Sequence, residues 1–467
     1  MSHEPCASTN DDCVDDEIQA LIDSFTSVVA IQPDLKDAES VERRETELRD
    51  RVGTLLAKVL ERDIQAAIDS ERIREDERKL IKGWPKKLKN RGEREVVLQT
   101  SWGIAITVRA RYYSGNGKKA KGKGMYPALR RLGIYDRCTP VTGSEVARTL
   151  AALSSMEEAR SELQQRGIRV SIHAICRIAY QWAERVRKRL GHEAVQLADK
   201  AGKRRVVVSS DGGRVRIRRN KKGAKTKKGR ARYHTDWKEP KLLIIYAVDE
   251  RGRRSKEFSP YIDGTMKGPD VLYGYIRFYL RKLEITQAES VVFVSDGAPW
   301  IWDRIPGLMM DLGLNPKQVF PVLDFYHAVE HLAKVTQLRK KWTAKERQSW
   351  LTKHRRLLKQ GKVEAVIKQI RSLCRGGNKA MRTELNYFIK HKAHMAYDQL
   401  KALGLPIGSG AIESAIRRVL NLRIKGPAIY WKEESAEAII LLRSYFKAGR
   451  WNTLKTIALA PTLKVVA

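Results

Sequence analysis

The chain has 467 residues, 42% of them hydrophobic, so length and composition predict several domains with sizeable cores and exclude a disordered polyelectrolyte. The formal net charge of +37 calls for a polyanionic partner, with nucleic acid ahead of an anionic membrane surface. No apolar run reaches the length of a membrane span and the first residues are polar and acidic, which predicts a cytoplasmic protein with neither span nor signal peptide.

The charge is unevenly placed. Residues 1–79 hold 21 acidic and 11 basic side chains, a net of −10, so the remainder carries about +47. The five cysteines, Cys6, Cys13, Cys138, Cys176 and Cys374, are scattered, and no C-x-x-C pair occurs. That pattern argues against a disulfide framework and a cysteine-rich zinc site, and fits a reducing compartment.

In chain order, residues 1–40 read as an acidic, poorly ordered arm. Residues 41–79 read as a charged helix whose Leu48, Val52, Leu55 and Val59 form one apolar stripe, a candidate dimerisation seam. Weak alternation over 95–113 predicts a β-hairpin around Gly103, and 114–124 (SGNGKKAKGKG) a flexible basic loop. Residues 156–190 show two helical patterns broken at Gly167, the second capped by Ser171. The pair is compatible with a helix-turn-helix DNA reader, with Arg177 available to touch bases, although any two packed helices share this pattern.

From 205 the texture changes. VVVSSD, KLLIIYAVD, SVVFVSD and QVFPVLD are short, nearly continuous apolar runs, and three of them deliver Asp211, Asp296 and Asp324 at their ends. Strands alternating with helices predict an α/β sheet, and acids at the carboxyl ends of buried strands lie where such sheets bind ligands. Residues 328–402 are helical throughout, an all-α block set into the α/β order. The 407–423 segment begins with glycines and continues as a helix, with Ser409 as its cap, Glu413 in the first turn and Arg417 one turn later, placed to meet a phosphate. Two strand-end aspartates and a helical glutamate form a hard-oxygen set suited to divalent ions. Two such ions about 4 Å apart serve phosphodiester displacement without a protein nucleophile. No P-loop motif occurs, so ATP use is not expected.

Residues 214–232 hold 11 Lys and Arg among 19 positions and no acid. They read as a phosphate-binding ribbon through Arg216, Arg218, Arg219, Lys221, Lys222 and Lys225, or as a solvated loop. Lys425, with Tyr430 and Trp431, follows the Glu413 helix and could hold an unpaired base; core packing of Trp431 is the equal alternative. Trp300 and Trp302 read as packing residues.

The segments VSSDGG (208–213), VSDGAPWIW (294–302), LDFYHAVEHL (323–332) and IGSGAIESAIRRVLNLRIKGPAIYW (407–431) closely resemble the ISKra group of bacterial insertion-sequence transposases, related to the Mutator-like DDE enzymes. The resemblance spans roughly 125–452. It implies an RNase H-like α/β catalytic core with an all-α insertion, preceded by a mostly helical DNA-binding region. It implies Asp211, Asp296 and Glu413 as first, second and third catalytic acids holding two Mg²⁺ (or Mn²⁺) ions, and Asp324 with His327 as an auxiliary D-x-x-H element. It also implies DNA transposition: cleavage at terminal inverted repeats and strand transfer into target DNA, by a nucleoid-associated homodimer or higher synaptic assembly. The competing readings are a structure-selective nuclease on the same fold and a domesticated, non-catalytic DNA-binding regulator. The expected division is 1–79 (arm and helix), 80–200 (DNA-binding region), 201–327 (first part of the core), 328–405 (insertion), 406–452 (remainder of the core) and 453–467 (tail). Relatives often carry a cysteine-rich zinc ribbon before the helix pair; here 84–124 contain no cysteine.

Overall fold

A computed structural model describes residues 11–84, 87–115, 124–190, 196–227, 229–374, 379–427 and 429–460. The chain divides into two compact units, Met1–Trp182 with Leu459–Ala467, and Ala183–Ala458. Among the described residues no helix is long and apolar enough to cross a membrane.

The first unit opens with helices α1 (Asp11–Ala30), α2 (Ala38–Asp69) and α3 (Glu71–Lys82). The expectation of an unstructured arm over 1–40 is therefore corrected for residues 11–30. Its reason lies in α2. Arg44, Arg51, Lys58 and Arg62 fall at helical spacing and reach the Val28 carbonyl, the Ser24 hydroxyl, Glu17 and Asp15 of α1. Leu48 and Leu55 lie on that same face, so α1 lies along the stripe expected to pair two chains. A capping box between Asp37 and Ser40 starts α2.

Strands β1 (Lys89–Gln99) and β2 (Ala105–Ser114) form the expected antiparallel hairpin, extended by β3 (Gly124–Met125). The inner part of the basic loop, 116–123, lies outside the described residues. The hairpin needs no ribbon cysteines, because Val96, Leu98, Ile106, Val108 and Ala110 alternate onto a shared apolar core with Ala57, Ile68 and Leu129. Glu61 and Gln65 of α2 accept hydrogen bonds from the Thr107 and Arg109 amides at 2.7 Å, covering the outer edge of β2. Helices α4 (Pro127–Arg131), α5 (Pro140–Ala152), α6 (Met156–Gln165) and α7 (Ile172–Leu190) follow. The break between α6 and α7 turns on Gly167 at φ +76°, and a Cβ on Gly103 would lie 2.7 Å from the Gly167 Cα, so hairpin and helix pair meet backbone to backbone. Ser171 accepts from the Ala174 amide at 3.2 Å, as its position predicts.

The second unit is built on a mixed five-stranded sheet in the order β10-β9-β4-β7-β8, comprising β4 (Arg205–Gly212), β7 (Lys241–Val248), β8 (Tyr261–Thr265), β9 (Ser290–Ser295) and β10 (Val319–Leu323). β4, β7 and β8 form an antiparallel meander, whereas β9 and β10 run parallel to β4. Every residue of β7 and β9 is buried, which explains their continuous apolar sequences. Between β4 and β7 the chain leaves the sheet as a separate two-stranded ribbon, β5 (Val215–Asn220) and β6 (Tyr233–Lys238). Helices α8 (Pro269–Lys282), α9 (Pro299–Trp302) and α10 (Ile305–Leu312) fill the connections to β9 and β10. The helical block comprises α11 (Phe325–Leu338), α12 (Ala344–Lys359), α13 (Val363–Leu373), α14 (Lys379–His391) and α15 (Tyr397–Ala402). The chain returns through α16 (Gly410–Ile416) and ends in α17 (Glu433–Lys447) and α18 (Trp451–Leu459).

One buried ion cluster fixes this unit. Asp263 on β8 is 0% exposed and accepts two parallel hydrogen bonds from Arg187 at 2.8 Å and one from Tyr279 at 2.9 Å. Tyr279 in turn meets the Tyr445 hydroxyl at 2.9 Å. The carboxylate thus has the bidentate guanidinium partner that burial of a charge requires.

Candidate active site

Because β4, β9 and β10 are parallel neighbours, their carboxyl ends share one edge of the sheet. Asp211, Asp296 and Asp324 therefore emerge side by side. Hydroxyls zip the strands together just below the acids: Ser209 Oγ donates to the Val294 carbonyl at 2.7 Å, and Ser295 Oγ to the Ser210 carbonyl at 3.0 Å. The Asp324 amide donates to the Ser295 carbonyl at 2.8 Å.

Asp211 and Asp296 are half-buried and close enough to repel each other. Burial, the larger cause, pushes the Asp211 carboxyl up to about 6; Asp296 adds to the rise, while the Gly212 amide and the His327 imidazole oppose it. One oxygen of each acid is held locally: Asp211 Oδ1 accepts from the Gly212 amide at 2.6 Å and Asp296 Oδ1 from the Ala298 amide at 3.0 Å. The second oxygen of each accepts no hydrogen bond from the described residues.

The glycines around the site allow close approach. A Cβ on Gly213 would lie 2.4 Å from Leu420 Cδ1, one on Gly297 2.7 Å from Tyr387 Cε2, and one on Gly408 2.8 Å from Tyr326 Cε2.

Asp324 is not a third open acid. It is 1% exposed. Its Oδ1 caps α11 by accepting from the Tyr326 and His327 amides at 2.6 and 3.0 Å, and its Oδ2 accepts from the Ser409 amide at 2.6 Å and from the Ser409 hydroxyl. These contacts describe a structural cap. Asp324 ties the start of α11 to the start of α16, and the Phe325 amide donating to the Ile407 carbonyl at 2.9 Å doubles the tie. Ser409, expected to cap α16, makes no side-chain cap hydrogen bond there; its hydroxyl serves Asp324 and lies 3.4 Å from Glu413 Oε1.

Glu413 is exposed in the first turn of α16. The helix expected to run through 423 departs from α geometry after Ile416, where 417–421 form a π turn beginning at the exposed Arg417. Such a turn leaves carbonyls without regular partners. Arg443 of α17, 3% exposed, donates to the carbonyls of Val419 and Arg418 at 3.2 and 2.7 Å. Burial, then Arg423, lowers its guanidinium to about 10.

Sequence reasoning missed the wall that α14 builds beside Asp296. His331 of α11 meets Glu384 at 2.6 Å and stacks on Tyr387 at 3.6 Å between ring centres. His391 is 4% exposed, and burial, then Lys390 and His394, pushes its imidazole down to about 4, so it is neutral at ordinary pH. Trp302 stacks on His394 at 4.4 Å and donates to the Asp296 carbonyl at 2.6 Å, fixing the loop that carries the acid. The only signal was His327 and His331 one turn apart on α11, with His391 and His394 at the end of α14 and just after it, which by itself does not distinguish a site from a core.

On the other side of Asp211 lies a cleft of about 590 Å³ lined by Gly212, Gly213, Arg214, Trp237, Lys238 and Lys425, among others. The basic ribbon forms one wall. It is docked on the 425–431 segment, with Arg216 donating to the Gly426 carbonyl at 2.5 Å and strand-like bonds joining Arg216 and Arg218 to Trp431. The six predicted cations of the ribbon thus divide. Arg216 is held by Gly426, Arg218 lies 4.4 Å over the Tyr233 ring, and Arg219 pairs with Asp236 at 2.9 Å. Lys221, Lys222 and Lys225 are exposed. Trp431 is 6% exposed and belongs to the core. In the first unit, Arg177 pairs with Asp136 at 3.0 Å while remaining half-exposed.

Compared with known protein families and with curated proteins, the chain matches none.

Carboxylate oxygens, one on each acid left open, with the Asp211 carboxyl lifted first by burial and then by Asp296, have the chemistry that hard divalent cations select. Among the described residues no three carboxylate, imidazole or thiol groups converge closely enough to enclose an ion. Asp211 and Asp296 form the paired part of the set, and Glu413 stands apart on α16.

Proposed function

We propose that this chain is a DDE transposase of the ISKra type, with an RNase H-like core. The observation that carries the reading is the sheet edge: parallel β4 and β9 bring Asp211 and Asp296 together beside α16, which carries Glu413. The strand order β10-β9-β4-β7-β8, an antiparallel meander continued by two parallel strands, supports the RNase H-like assignment. So does the position of the helical block between the last two acids.

In this reading Asp211, Asp296 and Glu413 hold two Mg²⁺ or Mn²⁺ ions. The chemistry supplied there on binding is activation of an attacking oxygen and stabilisation of a leaving one. The remaining work belongs to the chain. Asp324 and Ser409 set the start of α16, and hence Glu413, against the sheet edge. His327 lies near Asp211 and favours its charged form. Arg417 and the cleft between Gly213 and Lys425 offer cations to the phosphates on either side of the scissile bond. Water attacks phosphorus at a transposon end and the 3′ oxygen leaves as a hydroxyl. That hydroxyl then attacks a target phosphodiester, whose 3′ oxygen leaves in turn, so bonds broken equal bonds formed.

A plasmid carrying the chain's own flanking DNA, incubated with protein and Mg²⁺ or Mn²⁺, separates the readings. Joined products support the transposase. Cleavage without joining supports the nuclease reading, and binding without cleavage the regulator.

The ribbon tip should supply phosphate contacts. Replacing Lys221, Lys222 and Lys225 with Ala is expected to weaken binding to all duplexes alike and to shrink the slope of log K against log salt by about 0.9 per lost contact. Fluorescence anisotropy across a salt series measures this. An unchanged slope removes the tip from the interface.

A further inference from the structure

The helical block carries 19 basic and 5 acidic residues over 328–405, and α12 concentrates this imbalance on one face. Lys345, Gln348, Ser349, Thr352, Lys353 and Arg356 recur at steps of three and four, so they share one side of the helix. All six can donate hydrogen bonds and none is acidic. A solvent-facing helix of ordinary composition mixes signs at these spacings and gains from the pairs. Here the one acid of α12, Glu346, closes a capping box with Thr343 at the helix start. Among the described residues neither Lys345, Lys353, Arg355 nor Arg356 makes an ion pair. Lys359, at the edge of the face, is pushed down by burial and then by Lys401 and Arg355, a sign of uncompensated positive potential.

The opposite side of α12 is buried: His354 and Leu358 are 1% and 0% exposed, and within the helix Trp350 stacks on His354 at 3.6 Å, whose Nδ1 meets the Trp350 carbonyl at 2.7 Å. A rigid helix of 16 residues, about 24 Å long, thus presents three cations interleaved with an amide and two hydroxyls. The only hydrogen bond within that set, Gln348 to Thr352, is long at 3.3 Å.

We propose that α12 lies in the major groove of duplex DNA, with Lys345, Lys353 and Arg356 on phosphates or guanines and Gln348, Ser349 and Thr352 at base edges. The inference rests on the DNA-directed reading above and adds a second reading element, within the core unit. The major groove admits an α-helix, glutamine pairs with adenine in two-point fashion, and serine and threonine serve either partner type.

The test uses the full-length protein in EDTA, so that binding is read without cleavage, with anisotropy on 30-base-pair duplexes of the chain's own flanking DNA and of random sequence. K345A/K353A/R356A is expected to reduce the salt slope by about 0.9 for each of the three that sits on a phosphate, at most about 2.7. Q348A/T352A is expected to leave the slope intact and to compress the preference for flanking over random DNA about tenfold or more. The substitutions are on an exposed face, and circular dichroism checks that both variants stay folded. An unchanged slope in the triple variant overturns the proposal, as does a change in its oligomeric state without loss of DNA affinity. If α12 behaves as proposed but the wild type joins no strands, the transposase reading falls while the groove contact stands. If the wild type binds no duplex, both fall.

Discussion

Asp211→Asn is expected to abolish strand cleavage, by on the order of 10³-fold or more, while making the ion-free protein more stable. The two effects share one cause. Asp211 is held at the sheet edge against burial and against Asp296, and its carboxyl is raised to about 6 from an ordinary 3.8. A carboxylate whose folded pKa lies above its unfolded one binds its proton more tightly in the native state. Folding stability therefore falls as pH rises from about 4 to about 6 and stays depressed above that. A rise of about two pKa units corresponds to at most about 3 kcal/mol. Asparagine keeps the oxygen that accepts from the Gly212 amide and removes the charge. The gain of variant over wild type in thermal unfolding should be near zero at pH 4 and largest at pH 7.

Divalent ions should invert this comparison. Adding Mg²⁺ or Mn²⁺ at pH 7 is expected to raise the wild-type Tm and to leave Asp211→Asn unmoved, because an ion that binds only the native state stabilises it by mass action. Asp296→Asn and Glu413→Gln should also lose cleavage, with DNA binding retained in all three. Retained cleavage in any one of the three would remove that residue from the site.

The parts of this fold that were legible in the sequence are those where one physical requirement dominates. The strands of the second unit are buried on both faces, so VVVSS, LLIIYAV and VVFVS read as continuous apolar runs, and their terminal acids were visible for the same reason. The hairpin around Gly103 and the break at Gly167 were legible because glycine marks both. What was not legible depends on partners distant in sequence. Residues 11–30 do carry Val14, Ile18, Leu21, Phe25 and Val28 at helical spacing, a stripe obscured by the acidic composition, and the basic positions of α2 give those acids partners. The π turn after Ile416 depends on Arg443 to take its carbonyls. Ser409 looked like a cap because serine before a helix usually is one; Asp324, 85 positions away, redirects its hydroxyl. The α14 wall could not be read because its contacts with Gly297 and Trp302 cross from the helical block to the sheet.

Asp324→Ala should be the most destabilising single change at the site, costing about 3–5 kcal/mol. The side chain is 1% exposed and accepts from four donors, two at the start of α11 and two at Ser409. Removing it leaves those donors without their acceptor and a void between α11 and α16. Asp324→Asn is the informative companion. Its oxygen still caps α11, but its NH₂ group faces the Ser409 amide, donor against donor, for an expected cost of about 1–3 kcal/mol. Ser409→Ala removes one hydroxyl and keeps the amide contact, at about 1 kcal/mol. Urea unfolding should therefore rank the three as Asp324→Ala, then Asp324→Asn, then Ser409→Ala, with cleavage falling in step as Glu413 loses its fixed position. Because the tie acts through Glu413 and touches neither Asp211 nor Asp296, the weaker variants should keep the ion-induced rise in Tm that Asp211→Asn loses. An Asp324→Asn protein with wild-type stability and no cleavage would show that the carboxylate itself takes part in the reaction rather than positioning α16.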